Sequence, residues 1–174
     1  LAIVREKENG SIQQVFVSPI RPLELVVGKL IPYTVIAFLE MIIVFAGGTL
    51  WFGVPFRGSL VVFLAASILY VLCTVGIGLL ISTLTRSQVT AGLLAIVLTV
   101  MPAMLFSGFI FPIHTMPAPM QVYANAFPTR YFIDISRALA LKGQGFSDVA
   151  PAMGFMAAYA AGLILLSALR FTKR

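Results

Sequence analysis

Glu40 is the side chain whose position most strongly suggests chemistry. It is the only charged residue between Leu30 and Phe52, a stretch long and apolar enough to cross a bilayer. A carboxylate at mid-membrane costs about 2.5 to 3.5 kcal/mol on insertion scales, so Glu40 must face protein or water. Two roles stay open: a substrate, proton or gating group, and a neutral carboxyl bonded to a Ser or Thr of a neighbouring helix. The residues that share its face at helical spacing are Tyr33, Ala37, Val44 and Gly47.

Signatures of enzymes and metal sites are absent from the sequence. It has no G-x-x-x-x-G-K-[ST], H-E-x-x-H or G-x-S-x-G, and no span carries paired carboxylates. The one histidine, His114, and the one cysteine, Cys73, form neither a metal-ligand pattern nor a disulfide framework. We therefore expect no catalytic, cofactor-binding or metal-binding residues in this chain, and no enzyme activity of its own.

The composition is that of an integral membrane protein. Hydrophobic residues make up 60% of the sequence and charged residues 10%, and the mean hydropathy is +1.02. This apolar surplus exceeds what a soluble core can bury. The formal net charge of +6 does not indicate nucleic acid as a partner, because the basic residues are scattered at segment ends rather than gathered on one face. The partner that they indicate is a lipid bilayer.

The apolar runs predict an all-α polytopic helix bundle with four full transmembrane helices. We interpret residues 1–174 as a single transmembrane domain and residues 1–4 as the end of a preceding helix, which would make the chain a fragment. Residues 5–29 are too polar for hydrocarbon and are predicted to lie on the cytoplasmic side, while residues 113–150 are predicted to form a segment on the opposite side. The four predicted spans are residues 30–52, 60–84, 89–111 and 151–171.

A short amphipathic helix is predicted within residues 5–29. Ser11 and Gln14 fit a capping box, in which each side chain bonds a backbone N–H of the first turn. Ile12, Val15 and Phe16 then lie on one face, and the helix stops before Pro19 and Pro22. This helix could have a functional role or be an ordinary surface helix between two spans. Spacing alone does not decide between these two interpretations.

Two spans carry further patterns. In the second, small and hydroxyl residues form a stripe that favours close helix packing, with a substrate-lining role as the alternative. In the third, Pro102 predicts a kink. The stripe consists of Ser67, Thr74, Gly78, Ser82 and Thr85.

The segment 113–150 is apolar on average but interrupted by Pro and Gly, so it contains no run long enough to span. After Pro112, two short helices joined at Pro128 fit a re-entrant or interfacial hairpin. A plain extracytoplasmic loop remains the alternative. The second helix has an apolar face, Tyr131, Ile135 and Leu139, and a charged face, Arg130, Asp134 and Arg137.

The distribution of Lys and Arg predicts the orientation. Residues 5–29, the turn at Arg86 and the C-terminal residues would share one side, which has the excess of basic residues, and this side is predicted to be the cytoplasm. The opposite side holds Arg57, Arg130, Arg137 and Lys142.

Four stretches together resemble the ABC-2 type transporter permeases of the bacterial drug-export-like branch. They are Arg5-Glu6-Lys7-Glu8-Asn9-Gly10-Ser11 with Ser18-Pro19-Ile20-Arg21-Pro22-Leu23-Glu24-Leu25 and Gly28-Lys29, then Gly78-Leu79-Leu80-Ile81-Ser82-Thr83-Leu84-Thr85-Arg86-Ser87-Gln88, then Ser107-Gly108-Phe109-Ile110-Phe111-Pro112, and finally Phe127-Pro128-Thr129-Arg130-Tyr131-Phe132. Each is weak alone, but the four occur in the family's order.

The resemblance implies a permease in the bacterial inner membrane that pairs with a second permease subunit, identical or different, and docks on ABC ATPase subunits, which would hold the ATP and Mg²⁺. It also implies that residues near the start of the chain form a coupling helix that receives the ATPase movement. The implied coupling residues are Arg5, Glu6, Glu8, Gly10, Ser11, Ile12, Gln14, Val15 and Phe16. The alternatives are a secondary transporter or channel that uses Glu40 as an ion or proton site, and a membrane scaffold without transport.

The predicted orientation can be tested by cysteine labelling. In a Cys73→Ser background, we expect an impermeant thiol reagent to label Gly145→Cys but not Ser87→Cys in intact cells, because Ser87 lies on the cytoplasmic side. Labelling after permeabilisation provides the control for reactivity. The reverse pattern in intact cells would contradict the orientation.

Overall fold

The computed structural model describes residues 4, 5, 8 and 22–170. Over this part of the chain the fold is all-α, and four helical segments are long and apolar enough to cross a membrane: Leu23–Trp51, Leu60–Leu84, Gln88–Leu105 and Phe146–Arg170. The α-helices are α1 (Pro22–Ala46), α2 (Leu60–Leu84), α3 (Gln88–Ala95), α4 (Met101–Leu105), α5 (Ala118–Asn125), α6 (Pro128–Ala140) and α7 (Phe146–Arg170). Two π-helical segments, Gly47–Trp51 and Ile96–Val100, extend α1 and join α3 to α4, and Ile113–Thr115 forms a 3₁₀ turn.

The number of membrane-crossing helices agrees with the prediction, but several bounds differ. Helix α1 begins at Pro22, so part of the predicted cytoplasmic stretch 5–29 belongs to the first helix. Proline suits this position because its fixed φ fits the first helical turn. Pro32 consequently lies in the helix interior.

The third and fourth spans also differ from their predicted bounds. The third ends at Leu105 instead of Phe111, and Gly108 follows with a φ of 78° that favours glycine. The fourth begins at Phe146 rather than at residue 151, and Pro151 lies inside it. At the predicted kink, the π-helical segment ends at Val100, and Pro102 is the second residue of α4, which follows it.

The centre of the fold is the packing of α7 against α2. A Cβ placed on Gly76 of α2 would lie 3.3 Å from the Leu163 side chain of α7, so a glycine allows the close approach. The Cys73 thiol donates a hydrogen bond to the carbonyl of Met156, at 3.2 Å. Both of these α2–α7 contacts involve small residues of α2.

Aromatic rings hold α1 and α6 against α2 near one end of the bundle. Phe45 of α1 lies 4.7 Å from Phe63 of α2, measured between ring centroids. Phe132 of α6 stacks on Tyr70 of α2 at 4.4 Å, and Phe56 contacts both Phe45 and Phe63 edge-on. We call this the hairpin end, and the opposite end of the bundle, at the α2–α3 turn, the Arg86 end.

Helix α6 lies alongside the part of α2 nearest the hairpin end. Its last residue, Ala140, accepts a hydrogen bond from the backbone N–H of Arg57, at 3.2 Å. Near its start, the Thr129 hydroxyl lies 3.4 Å from that of Tyr70. Tyr70 is about ten residues into α2, which corresponds to about 15 Å along the helix axis.

Gly58, in the α1–α2 connection, lies close to the backbone of α6. A Cβ at this position would lie 2.7 Å from the carbonyl oxygen of Leu139. We expect Gly58→Ala to destabilise the protein by about 1 to 3 kcal/mol, because the backbone of α6 must move away. Thermal unfolding of the purified protein measures this change.

Gly145→Ala is the matched control. The atom nearest to a Cβ at this position, the Ser147 hydroxyl oxygen, would be 3.9 Å away. We expect this substitution to change stability by less than about 0.5 kcal/mol. Equal stability of the two variants would contradict the close contact between Gly58 and α6.

Candidate functional site

Glu40 lines an open cleft between α1 and α2. The cleft has a volume of about 300 Å³, at the lower end of the range for small-molecule sites. Its walls are Tyr33, Ile36, Ala37 and Glu40 of α1 with Val75, Gly78 and Leu79 of α2. Within the described residues, the Glu40 carboxylate has no hydrogen-bond or ion-pair partner. The predicted hydrogen bond to a neighbouring Ser or Thr is therefore absent from this part of the chain.

A second cleft continues the first along α1 toward the Arg86 end. It has a volume of about 580 Å³ and shares Tyr33 and Ile36 with the Glu40 cleft. Glu24 and Lys29 line its far end. Together the two clefts form one groove that runs from charged residues near the start of α1 to a carboxylate in the middle of the span.

The residues of the predicted stripe on α2 do not all have the same surroundings: some are packed inside the bundle, and one lines the Glu40 cleft. Ser67 and Ser82 are buried, which agrees with the packing interpretation. Gly78 instead lines the cleft, and a Cβ there would meet no atom within 4 Å. The glycine at the tight α2–α7 contact is Gly76, two residues away. Sequence reasoning missed Gly76 because spacing alone does not show which glycine faces a neighbouring helix.

On the face that contains Glu40, the structure brings Tyr33 and Ala37 into the cleft. Val44, by contrast, is exposed, and neither it nor Gly47 lines the cleft. The α2 residues of the cleft could not be predicted, because no local pattern shows which part of α2 lies opposite Glu40.

At the Arg86 end, two residues from the start of the chain contact α2 and α3. The backbone N–H of Val4 donates to the Ser82 hydroxyl at 2.9 Å, and the buried Val4 side chain packs with Ile81 and Ala91. The Glu8 carboxylate accepts a 2.9 Å hydrogen bond from the backbone N–H of Gln88 and another from the Gln88 side-chain amide.

Glu8 therefore acts as a cap for α3, which begins at Gln88. A carboxylate at a helix N-terminus satisfies an otherwise unpaired N–H and interacts favourably with the helix dipole. The backbone N–H of Gln88, followed by its side-chain amide, holds the pKa of the Glu8 carboxyl below its ordinary value. The sequence contains no local signal for this contact, because the partners are distant along the chain.

The predicted coupling helix, residues 10–17, lies entirely outside the described residues, as does Glu6 before it. This applies to Glu6, Gly10, Ser11, Ile12, Gln14, Val15 and Phe16, and the capping box is included among them. Of the other implied coupling residues, Arg5 and Glu8 are described and exposed. Their contact with an ATPase stays a prediction.

The charged face of α6 borders a third cleft, of about 520 Å³, at the hairpin end. Arg130 Nε lies 3.8 Å from Asp134 Oδ2, the pair expected from their spacing. Arg137 and Pro112 also line this cleft. The opposite face of α6 packs inward: Pro128, Ile135 and Leu139 are buried, and Tyr131 stacks on Phe155 of α7.

No group of three potential metal-ligating side chains occurs in the part of the chain that the structure describes.

Four apolar membrane-crossing helices, with a short helical hairpin against one end, define an all-α multi-pass membrane protein. The family model described as ABC-2 family transporter protein matches residues 1–169. The chain belongs to this family of ABC transporter permeases.

Curated relatives from Escherichia coli (strain K12) agree with the family assignment. The chain is 38% identical to the Probable multidrug ABC transporter permease YbhS over 143 residues, 82% of the chain and 38% of that protein. It is 37% identical to YbhR, of the same description, over 142 residues, again 82% of the chain and 38% of that protein. Identity to the Inner membrane transport permease YhhJ is 30% over 176 residues, 99% of the chain and 46% of that protein. The chain thus spans less than half the length of these relatives, and no solved structure matches it.

The cap on α3 can be tested by a double-mutant cycle. We expect Glu8→Ala to lower the thermal stability of the purified permease, because it leaves the first N–H groups of α3 without this acceptor. Gln88→Ala should destabilise the wild type but have little further effect once Glu8 is replaced. Additive effects of the two substitutions would contradict the contact.

The same contact predicts a pH dependence. Because the pKa of Glu8 is lowered in the folded protein, its contribution is present above the ordinary pKa of glutamate and is lost as the pH falls through the lowered pKa. The stability difference between wild type and Glu8→Ala should shrink on acidification. A difference that grows on acidification would oppose this assignment.

Proposed function

We propose that this chain is part of the permease subunit of an ATP-driven ABC-2 type exporter in the bacterial inner membrane. Two permease subunits would form the translocation pathway, and separate ATPase subunits would bind ATP and Mg²⁺ and hydrolyse ATP. The observation that carries this proposal is the family match over residues 1–169, which includes nearly the whole length of the four membrane-crossing helices.

Contacts at the Arg86 end support a route for mechanical coupling. Val4 and Glu8 flank the start of the predicted coupling region and bond to Ser82 of α2 and Gln88 of α3. A displacement of this segment by an ATPase would therefore act directly on the ends of two spans. Since α2 packs on α1 and α7, the movement would pass from α2 to the helices around it.

The position of α6 supports a re-entrant hairpin at the opposite end. The start of α6 reaches Tyr70, about 15 Å along α2 from its first residue. Backbone at such a depth needs protein or water around it, and the stacking of Tyr131 on Phe155 and of Phe132 on Tyr70 provides the protein contacts. We propose that this hairpin, with Arg130, Asp134 and Arg137 on its cleft side, borders the exit from the translocation pathway.

One observation favours a second candidate, an ion-driven transporter that uses Glu40. The carboxylate is open to a cleft and has no partner among the described residues. Transport by proteoliposomes separates the two candidates: an exporter of the ABC type needs ATP and the ATPase subunit, whereas an ion-driven transporter works from an imposed ion gradient without either.

The proposed coupling is tested by Phe16→Ala. We expect this substitution to detach or uncouple the ATPase subunit while membrane insertion stays normal, because burial of one phenylalanine in a partner groove contributes about 1.5 to 3 kcal/mol. The measurements are the ATPase subunit retained on purified permease and substrate-stimulated ATP hydrolysis.

Gln13→Ala is the control, because Gln13 is predicted to lie opposite the apolar face and its loss should have little effect. The proposed coupling helix would be contradicted if the variants Phe16→Ala, Ile12→Ala and the double variant all retained the ATPase subunit and its substrate-stimulated ATP hydrolysis.

A further inference from the structure

We infer that the cleft beside Glu40 binds a monovalent organic cation, and that this class of molecule is a transported substrate. The inference rests on the proposed transport function and adds a ligand class to it. The residues that line the cleft are of two chemical kinds. Glu40 supplies a carboxylate, and the remaining walls are apolar or aromatic.

The carboxylate determines the charge of the ligand. Ionised Glu40 can only accept hydrogen bonds, and no donor or cation among the described residues is bonded to it. A cationic ligand would supply the missing partner in a setting where an unpaired charge is unfavourable. An anionic ligand would be repelled, and a neutral ligand could at most donate a hydrogen bond without balancing the negative charge.

The other walls determine the rest of the ligand. A divalent metal ion needs several oxygen ligands, and the side chains of the cleft offer only the Glu40 carboxylate and the Tyr33 hydroxyl. Ile36, Val75 and Leu79 instead suit an apolar body, and the ring of Tyr33 suits a cation–π contact. The cleft volume of about 300 Å³ fits a body of one or two rings.

The groove provides a route to this cleft. It begins at Glu24 and Lys29, near the start of the first span, and reaches Glu40 by way of Tyr33 and Ile36. A ligand could follow it from the membrane surface to the middle of the bilayer without crossing the α2–α7 contact. This geometry is expected for a substrate site.

The experiment measures equilibrium binding to the purified permease–ATPase complex in lipid nanodiscs without ATP. The probe is N-methyl-phenylpyridinium, a permanently charged two-ring cation. Phenylpyridine at mildly alkaline pH is its uncharged counterpart. We expect saturable binding of the cation, and much weaker binding of the uncharged compound.

Two pairs of variants test the charge of Glu40 and the space in the cleft separately. Glu40→Gln should weaken cation binding by about tenfold or more, the effect of losing one charge-assisted contact, whereas Glu40→Asp keeps the charge and should retain most of the affinity. Gly78→Leu should block binding by filling the cleft. Gly162→Leu makes the same change on α7, at a position with open space around it, and should bind like the wild type.

Three results would overturn the inference. One is the absence of saturable cation binding to the wild-type complex. Another is equal affinity of the wild type and Glu40→Gln. The third is efficient disulfide formation between two permease copies through Ala37→Cys in the Cys73→Ser background, because the cleft would then be a subunit interface. Retention of the ATPase subunit is scored in the same preparations, so that failure of the proposed exporter function is distinguished from failure of the cation site.

Discussion

The close approach of α2 and α7 is the contact on which the rest of the bundle depends. It favours small residues on α2, because a Cβ on Gly76 would lie only 3.3 Å from the Leu163 side chain and would push it away. Once α2 is fixed in this way, its other faces receive α1, α3 and α6. In a membrane, where burial of apolar side chains gives little advantage over lipid, such close packing is a main source of helix association.

The two ends of α2 have different kinds of contact. At the Arg86 end, polar contacts join a small apolar cluster: Ser82 accepts from the buried Val4, and the nearby Gln88 donates to Glu8. At the hairpin end, aromatic rings and the Gly58–Leu139 contact hold α6. The Glu8–Gln88 contact is exposed, and an exposed polar contact opens more readily than a packed aromatic cluster. The fold therefore combines a firmly held hairpin with an opposite end suited to rearrangement.

The helices follow well from the sequence because long apolar runs have few alternatives in a membrane. Their bounds follow less well: Pro22 and Phe146 begin helices within stretches whose composition suggests polar or irregular structure. Glu40 is identifiable from its charge alone, but its α2 neighbours, Val75, Gly78 and Leu79, depend on how two helices are rotated against each other. The capping of α3 by Glu8 joins residues distant in sequence, so no local pattern contains it.

The π-helical segment Ile96–Val100 resolves a conflict within the third span. Proline at position 102 would crowd the carbonyl of Leu98 in a regular α-helix, and here Met101 bonds back to Ile96 instead, one residue farther than usual. This widened turn accommodates one additional residue, which rotates everything beyond it by about 100°. The residues on either side of the segment consequently follow two different helical phases, and a single wheel drawn through the whole span would misplace Met101–Leu105.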